Sequence, residues 1–420
     1  MRLKMWLAGL LVVVAGVAQA QTEVVWWDFL SGGDGVRMKA MIDKFNAENP
    51  DIKITPTTLE WGTPFYTKVQ TSVATGQGPD IMTYHLSRYP LGLQQGVLSP
   101  ITDEELASVE LSKDDYPEGL VSAATFDDQM YGVPFDIHAQ ILYFNRDILR
   151  EAGLLGDDGL PTGIEGLENF NAALETIKGM GKLPLSFANS ADPGVEWRIF
   201  YTLLNQINDS GGSVIEDGAL VLNPEAANTA LQTMDDWVAN GYARKNVAYP
   251  ASVALFTSGD TAFHLNGVWE VPTMADLAAK GELFDWGAMA IPVLFDKPAT
   301  WADSHTFALP NNQNADPAKR EAALKVIAWM NKNSIMWASA GHIPAYVPVV
   351  ESAEYQEMEP NATYAVLAES AVYDPPSPVA GVASPLYDAV ANFFEPSING
   401  QLAADEAVQM FSEELESQLR

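Results

Sequence analysis

Apolar and aromatic residues crowd residues 23–29, and the run ends abruptly in Ser31-Gly32-Gly33-Asp34-Gly35. That pattern predicts a strand and a loop. The apolar set Val36, Met41, Ile42 and Phe45, stopping at Asn49-Pro50, predicts a helix after it. Residues 52–59 read as a second strand, Phe65, Val69 and Val73 at four-residue spacing as a second helix closed by Gly76, and residues 80–84 as a short third strand. Strands alternating with helices predict a mainly parallel sheet flanked by helices. In such sheets ligands collect at the loops beyond the carboxyl ends of the strands.

The period changes at Tyr131-Gly132-Val133-Pro134, where residues 135–144 form a long extended stretch that leads into a helix from Arg146. A crossover between domains fits this point. Helical patterns follow near residues 167–178, 197–208, 224–240, 317–331 and 403–419, with strand-like pieces at 262–265 and 286–291. The chain shows no internal repeat, heptad run or low-complexity tract.

Residues 1–20 stand apart. Arg2 and Lys4 precede an apolar run from Trp6 to Ala18 that closes in Ala18-Gln19-Ala20, the small-x-small pattern of a cleaved signal peptide. The run is shorter than the roughly 20 residues a membrane-spanning helix needs. Export is therefore expected, with a mature chain from Gln21. With no cysteine there is no disulfide, thiolate metal site, cysteine nucleophile or lipid attachment through an N-terminal cysteine, so a freely diffusing periplasmic protein is expected, not a lipoprotein.

Length and charge narrow the functions. The 420 residues suggest two or three domains, and a 47% hydrophobic content suits full cores. The formal charge of -32, from 55 acidic against 23 basic residues, argues against nucleic acid and anionic membranes as partners. HExxH, GxSxG and Walker motifs are absent, and Gly33-Asp34-Gly35 continues to Met38, where a dinucleotide fingerprint needs Gly or Ala. It reads as a flexible turn. Asp157-Asp158-Gly159 lacks the spacing of an EF-hand and reads as a solvated turn. The five histidines are scattered and form no local metal motif. No cofactor, metal or enzymatic activity is expected, although two carboxylates about 5–10 Å apart would suffice for a glycoside hydrolase.

Aromatic and planar polar residues repeatedly adjoin in predicted loops: Trp26-Trp27-Asp28, Glu60-Trp61, Tyr84-His85, Asp136-Ile137-His138, Asn266-Gly267-Val268-Trp269-Glu270 and Asp303-Ser304-His305. Aromatic faces cover the CH patch of a pyranose, while planar polar groups pair with its hydroxyls. This mixture suits sugars.

Several segments resemble one family, the extracellular solute-binding proteins (family 1) of carbohydrate ABC transporters, the maltose-binding-protein-like group. They are Ala74-Thr75-Gly76-Gln77-Gly78-Pro79-Asp80-Ile81, Tyr131-Gly132-Val133-Pro134 with Tyr143-Phe144-Asn145-Arg146-Asp147, and Phe256-Thr257-Ser258-Gly259-Asp260-Thr261-Ala262 with Asn266-Gly267-Val268-Trp269. Asn399-Gly400 with Asp405-Glu406-Ala407 completes the series. The resemblance implies a two-lobed α/β periplasmic binding protein fold with a multi-strand hinge and a ligand cleft between lobes. Lobe 1 is expected at residues 21–133 plus 292–340, and lobe 2 at 134–291 plus 341–420.

It further implies capture of a sugar or oligosaccharide by a monomer that delivers it to ABC permease subunits. Trp269 matches the family's stacking tryptophan, His138 stands where a relative has a ligand-contacting glutamate, Arg88 matches an arginine, and Tyr387 takes the place of a C-terminal stacking tryptophan. Ser87 replaces a paired aspartate. The full expected ligand set is Asp28, Glu60, Trp61, Tyr84, His85, Arg88, Asp136, His138, Trp197, Asn266, Trp269, Glu270, Asp303, His305 and Tyr387. Rival readings are a polyamine binder, an anionic-sugar binder using Arg88 and Arg198, and an exported glycoside hydrolase.

Overall fold

Two sheets carry the architecture, one of six strands and one of seven. The computed structural model describes residues 21–208, 213–312 and 316–420, and the expected signal segment lies outside the described residues. In chain order the strands are β1 (Thr22–Asp28), β2 (Ile52–Thr58), β3 (Ile81–His85), β4 (Leu98–Ser99), β5 (Gly132–Pro134), β6 (Asp136–Asn145) and β7 (Leu183–Ser186). They continue as β8 (Thr261–Gly267), β9 (Trp286–Ala290), β10 (Thr300–Asp303), β11 (His305–Pro310), β12 (Ile343–Pro344) and β13 (Ala371–Val372). The first sheet runs β2-β1-β3-β11-β4 with β5 on β11, and the second runs β13-β10-β6-β8-β7 with β9 and β12 on β6.

Sequence pattern explains the first sheet well. Helix Thr63–Ala74 buries Phe65, Val69 and Val73, each contributing about 1.5–3 kcal/mol. Helix Gly32–Glu48 buries Asp34, Met38, Met41, Ile42 and Phe45, whereas Val36, expected on its apolar face, is 64% exposed because the helical turn carries it to the opposite side.

The expectation of mainly parallel sheets needs correction. β1 pairs with β2 and β3 in parallel, but β11 meets β3, β4 and β5 antiparallel. In the second sheet β6 is antiparallel to β8, β9, β10 and β12, and only β7 with β8 and β10 with β13 are parallel. Long strands that step directly from one sheet into the other have no helical crossover, so they arrive reversed.

Three extended segments connect the sheets side by side. β5 passes into β6 through Phe135, β10 passes into β11 through Ser304, and the segment after helix Ile335–Ala338 passes Gly341 and His342 into β12. Phe135 N–H donates to His305 O at 2.9 Å and Ala345 N–H to Phe135 O at 3.0 Å. The expected start of a lobe-1 piece at Pro292 conflicts with this topology, because the chain stays with the second sheet through β10 and changes sheets at Ser304.

The resembling motifs have local reasons. Asn145 at the end of β6 accepts from Asp147 N and Ile148 N, capping helix Arg146–Ala152, which closes on left-handed Gly153 at φ 71°. Asp80 accepts from Val25 N at 2.8 Å and Lys319 Nζ at 2.9 Å, holding the start of β3 against β1. A Cβ on Gly132 would overlap the Tyr89 hydroxyl. No helix among the described residues is long and apolar enough to cross a membrane.

Candidate functional site

A cavity of about 340 Å³ lies between the sheets. On one side it is walled by residues 29–34, the short loop after β1 and the first turn of helix Gly32–Glu48, by Trp61 beyond β2, by His85 ending β3 and by His305 opening β11. All but His305 lie at or just beyond the carboxyl ends of the parallel strands β1, β2 and β3, where the sheet geometry places ligands. On the other side stand His138, Asp192, Arg198, Tyr249, Trp269, Glu270 and Thr273.

Strand register assembles the floor. His305 faces His85 across β11 and β3, and Asp303 faces His138 across β10 and β6. The imidazoles of His138 and His305 are 4.2 Å apart centre to centre, and His85 lies 5.0 Å from His305. Phe29 stacks on His85 at 4.6 Å, and Tyr66 Oη lies 2.6 Å from His85 Nδ1.

Trp269 is fixed from two sides. Its Nε1 donates to Tyr249 Oη at 2.8 Å, and that hydroxyl donates to Glu270 Oε1 at 2.6 Å. Gly267 is required beneath the indole, because a Cβ there would overlap the ring, and its carbonyl accepts from Tyr143 Oη at 2.7 Å. The NGxW and YxN segments therefore meet in space. The Arg198 guanidinium sits 4.9 Å from the Trp269 ring centre and 4.7 Å from that of Trp301, a cation–π arrangement. Burial pushes the Glu270 and Asp192 carboxyls above their ordinary range.

Asp136 lies just below this floor. Its Oδ1 accepts from His305 N at 2.9 Å and His138 Nδ1 at 3.0 Å, and its Oδ2 from His305 Nδ1 at 2.8 Å and Trp337 Nε1 at 2.7 Å. Burial alone would raise this carboxyl, but the fields of His305 and His342 and the hydrogen bonds hold it well below the carboxylate range. Burial and the neighbouring His305 lower His138 to about 3. Three of the five histidines, His138, His305 and His342, dispersed in sequence, thus gather around one carboxylate.

Of the expected ligand set, Trp61, His85, His138, Trp269, Glu270 and His305 line the cavity. The others do not. Tyr84 points to the opposite side of β3 from His85 and packs between Tyr66 and Tyr89 in the first core. Asp28 turns from the cavity and accepts from Leu30 N at 3.0 Å. Glu60 is exposed in the turn before Trp61. Arg88 stacks on Tyr66 and donates to Ala383 O. Trp197 is buried in the second core, with Nε1 donating to Asp374. Asn266 lies under the strand end, Asp303 accepts from Ser87 N and Oγ, and Tyr387 packs on Gly194. Period-two alternation separates Tyr84 from its cavity-facing neighbour His85.

Sequence reasoning missed Phe29, Asp34, Asp192, Tyr249 and Thr273, and gave Arg198 only a rival's role. The Ser31-Gly32-Gly33 loop carried a usable signal, since it follows a parallel strand at the ligand-collecting edge.

The comparisons with known proteins agree with this geometry. The sequence profile described as bacterial extracellular solute-binding protein matches residues 40–365. An uncharacterized ABC transporter extracellular-binding protein of Pyrococcus horikoshii is 25% identical over 64% of this chain and 59% of its own length. A lactose-binding protein of Rhizobium radiobacter is 27% identical over 67% of this chain and 64% of its own. The chain thus spans about three fifths of the length of these curated relatives. The solved structure of an ABC substrate-binding protein of Listeria monocytogenes in complex with cycloalternan superposes with a TM-score of 0.79 at 19% identity, covering 95% of this chain and 99% of that one. A fold shared across nearly the whole chain and a profile match through both sheets lead to one assignment: this chain belongs to the bacterial extracellular solute-binding protein family.

Proposed function

We propose that the protein captures a sugar or oligosaccharide in the cleft between its lobes and presents it to an ABC importer at the membrane. The observation that carries this reading is the cavity itself, where Trp61 and Trp269 stand among the planar polar groups of His85, His138, His305 and Glu270, contributed from both sheets. An aromatic surface with paired donors and acceptors is the chemistry of pyranose recognition. We assign lobe 1 to residues 21–133 plus 304–340 and lobe 2 to the rest of the mature chain. A ligand touching both lobes stabilises the closed state by its differential contacts. The protein acts in the periplasm as a monomer without a lipid anchor, binds and does not catalyse, and its partners are the permease subunits.

Thermal-shift screening against neutral saccharides, sugar acids and polyamines tests this. A ligand present at 100 times its Kd stabilises by about 2.7 kcal/mol. A neutral saccharide raising the melting temperature supports the reading, and a response to polyamines alone overturns it. Arg198 favours a second reading, because it is 7% exposed, lines the cavity and has a buried Nε with no hydrogen-bond partner. Asp192 and Asp374 lie in its field, but the unpartnered N–H remains free to donate to an anionic group, so sugar acids would then outperform their neutral counterparts.

A further inference from the structure

Beneath the cleft, one carboxylate oxygen is surrounded by more nitrogen than its lone pairs can serve. Asp136 Oδ2 already accepts from His305 Nδ1 and Trp337 Nε1, and His342 Nδ1 lies 3.2 Å from the same atom. That third nitrogen is fully buried and makes no hydrogen bond. An orphaned buried polar atom costs about 1–3 kcal/mol. One atom from each of Asp136, His138, His305 and His342 lies within 4.8 Å of the others, and all four residues are buried.

We propose that these four residues bind a single divalent transition-metal ion of the zinc class, through the Nδ1 atoms of His138, His305 and His342 and the carboxylate of Asp136. Three imidazoles and a carboxylate form a donor set that suits such ions, with metal–nitrogen distances of about 2.0–2.1 Å in a tetrahedral shell. Donors on that shell stand roughly 3.3 Å apart, close to the 3.0, 2.8 and 3.2 Å that separate the three nitrogens from the carboxylate. Each histidine then keeps its proton on Nε2. His342 Nε2 is placed for this, 3.2 Å from Asp34 Oδ2, which gives the metal-bound ring the outer carboxylate partner such ligands ordinarily have. Magnesium, which demands mostly oxygen ligands, finds a single carboxylate here.

The ligands come from all three segments that connect the sheets: β6, the start of β11 and the residue before β12. An ion there ties the crossings together, and His138 and His305 border the cavity from which it enters. The site shares His138 and His305 with the cleft floor, and a saccharide titration reads sugar capture separately from metal binding.

The test uses the full mature chain, stripped with a chelator and titrated calorimetrically with Zn²⁺, Co²⁺ and Mg²⁺. One equivalent of Zn²⁺ and of Co²⁺ should bind, Mg²⁺ should not, and His342→Gln should weaken zinc binding at least roughly 10-fold. Wild-type protein loaded with Co²⁺ should show the intense visible bands of tetrahedral cobalt, a readout that needs no variant to fold. No zinc binding, zinc affinity unchanged in a folded His342→Gln protein, or a weak octahedral cobalt spectrum would each overturn the assignment.

Discussion

Gly267 and Trp269 show how one absent atom supports recognition. Any Cβ at residue 267 collides with the indole, so Gly267→Ala must displace Trp269 while leaving the cores intact. We predict loss of the saccharide-induced thermal shift with the ligand-free melting temperature nearly unchanged. Asp374 offers a prediction about pH. It is buried, accepts from Trp197 Nε1 at 2.6 Å and Trp301 Nε1 at 3.0 Å, and burial raises its carboxyl to about 6. The folded state therefore holds this proton more tightly than the unfolded chain, so the group's stabilising contribution is complete below about pH 4 and is lost as pH rises through 6. Asp374→Asn removes that loss. It should be more stable than wild type at pH 8, by roughly 2–3 kcal/mol at most, with the difference vanishing near pH 4; denaturant melts at both pH values check this, and a pH-independent difference would contradict it.

At this scale the sequence was partly legible. Trp269, His138 and His305 were visible as aromatic and planar polar residues in predicted loops, and the fold brings them to one cavity. Tyr84 carried the same signal but is buried in the first core. Side-chain direction depends on strand register and on the partner strand, neither of which adjacency in sequence encodes. The histidine cluster was illegible for the same reason. Its members share no local spacing and meet because β11 pairs with β5, and β10 and β12 both pair with β6.

Elements that were strongly periodic were read closely, including helix Thr63–Ala74, helix Pro224–Ala239 and the long strand β6. The short strands β10 and β11 were missed, because Trp301-Ala302-Asp303-Ser304-His305 mixes polar and apolar residues without alternation. They are buried throughout, and a strand buried on both faces loses the period-two signal. Capping gives one element-level prediction: Asn145→Ala removes the side-chain acceptor at the start of helix Arg146–Ala152 and should cost about 1 kcal/mol in urea unfolding. A second concerns the cleft rim. Helix Gly32–Glu48 meets helix Val271–Ala279 through the Arg37–Asp276 pair, at 2.7 and 3.0 Å, and a Cβ on Gly33 would come within 2.5 Å of Pro272 Cβ. This contact joins the two lobes, so Gly33→Leu should hold them apart. Solution scattering should then show a larger radius of gyration for the variant than for wild type with saturating ligand, and equal radii would contradict a rim contact. Arg37→Ala should be far milder, because an exposed pair contributes about 0–1 kcal/mol.

For the whole molecule, the large acidic excess bears on solubility more than on recognition. The cavity holds Arg198 and three histidines beside its acids, so the net charge of -32 does not describe the site. Two sheets joined by three crossing segments place the cavity where relative motion of the lobes opens or closes it. The order of the lobes was legible through the resembling motifs, which the local structure explains as caps, close glycine contacts and a tethered strand. The mixed strand directions were not, since alternation of strands and helices does not reveal which strands return through the neighbouring sheet.

Saccharide capture through Trp269, as proposed, is tested by calorimetric titration of wild-type and Trp269→Ala protein with the saccharide that gives the largest thermal shift. One site per chain is expected in wild type and at least a roughly 100-fold loss of affinity in the variant, corresponding to about 2.7 kcal/mol, with both proteins equally folded. Saccharide binding that is absent from wild type, or that survives Trp269→Ala undiminished, would contradict it.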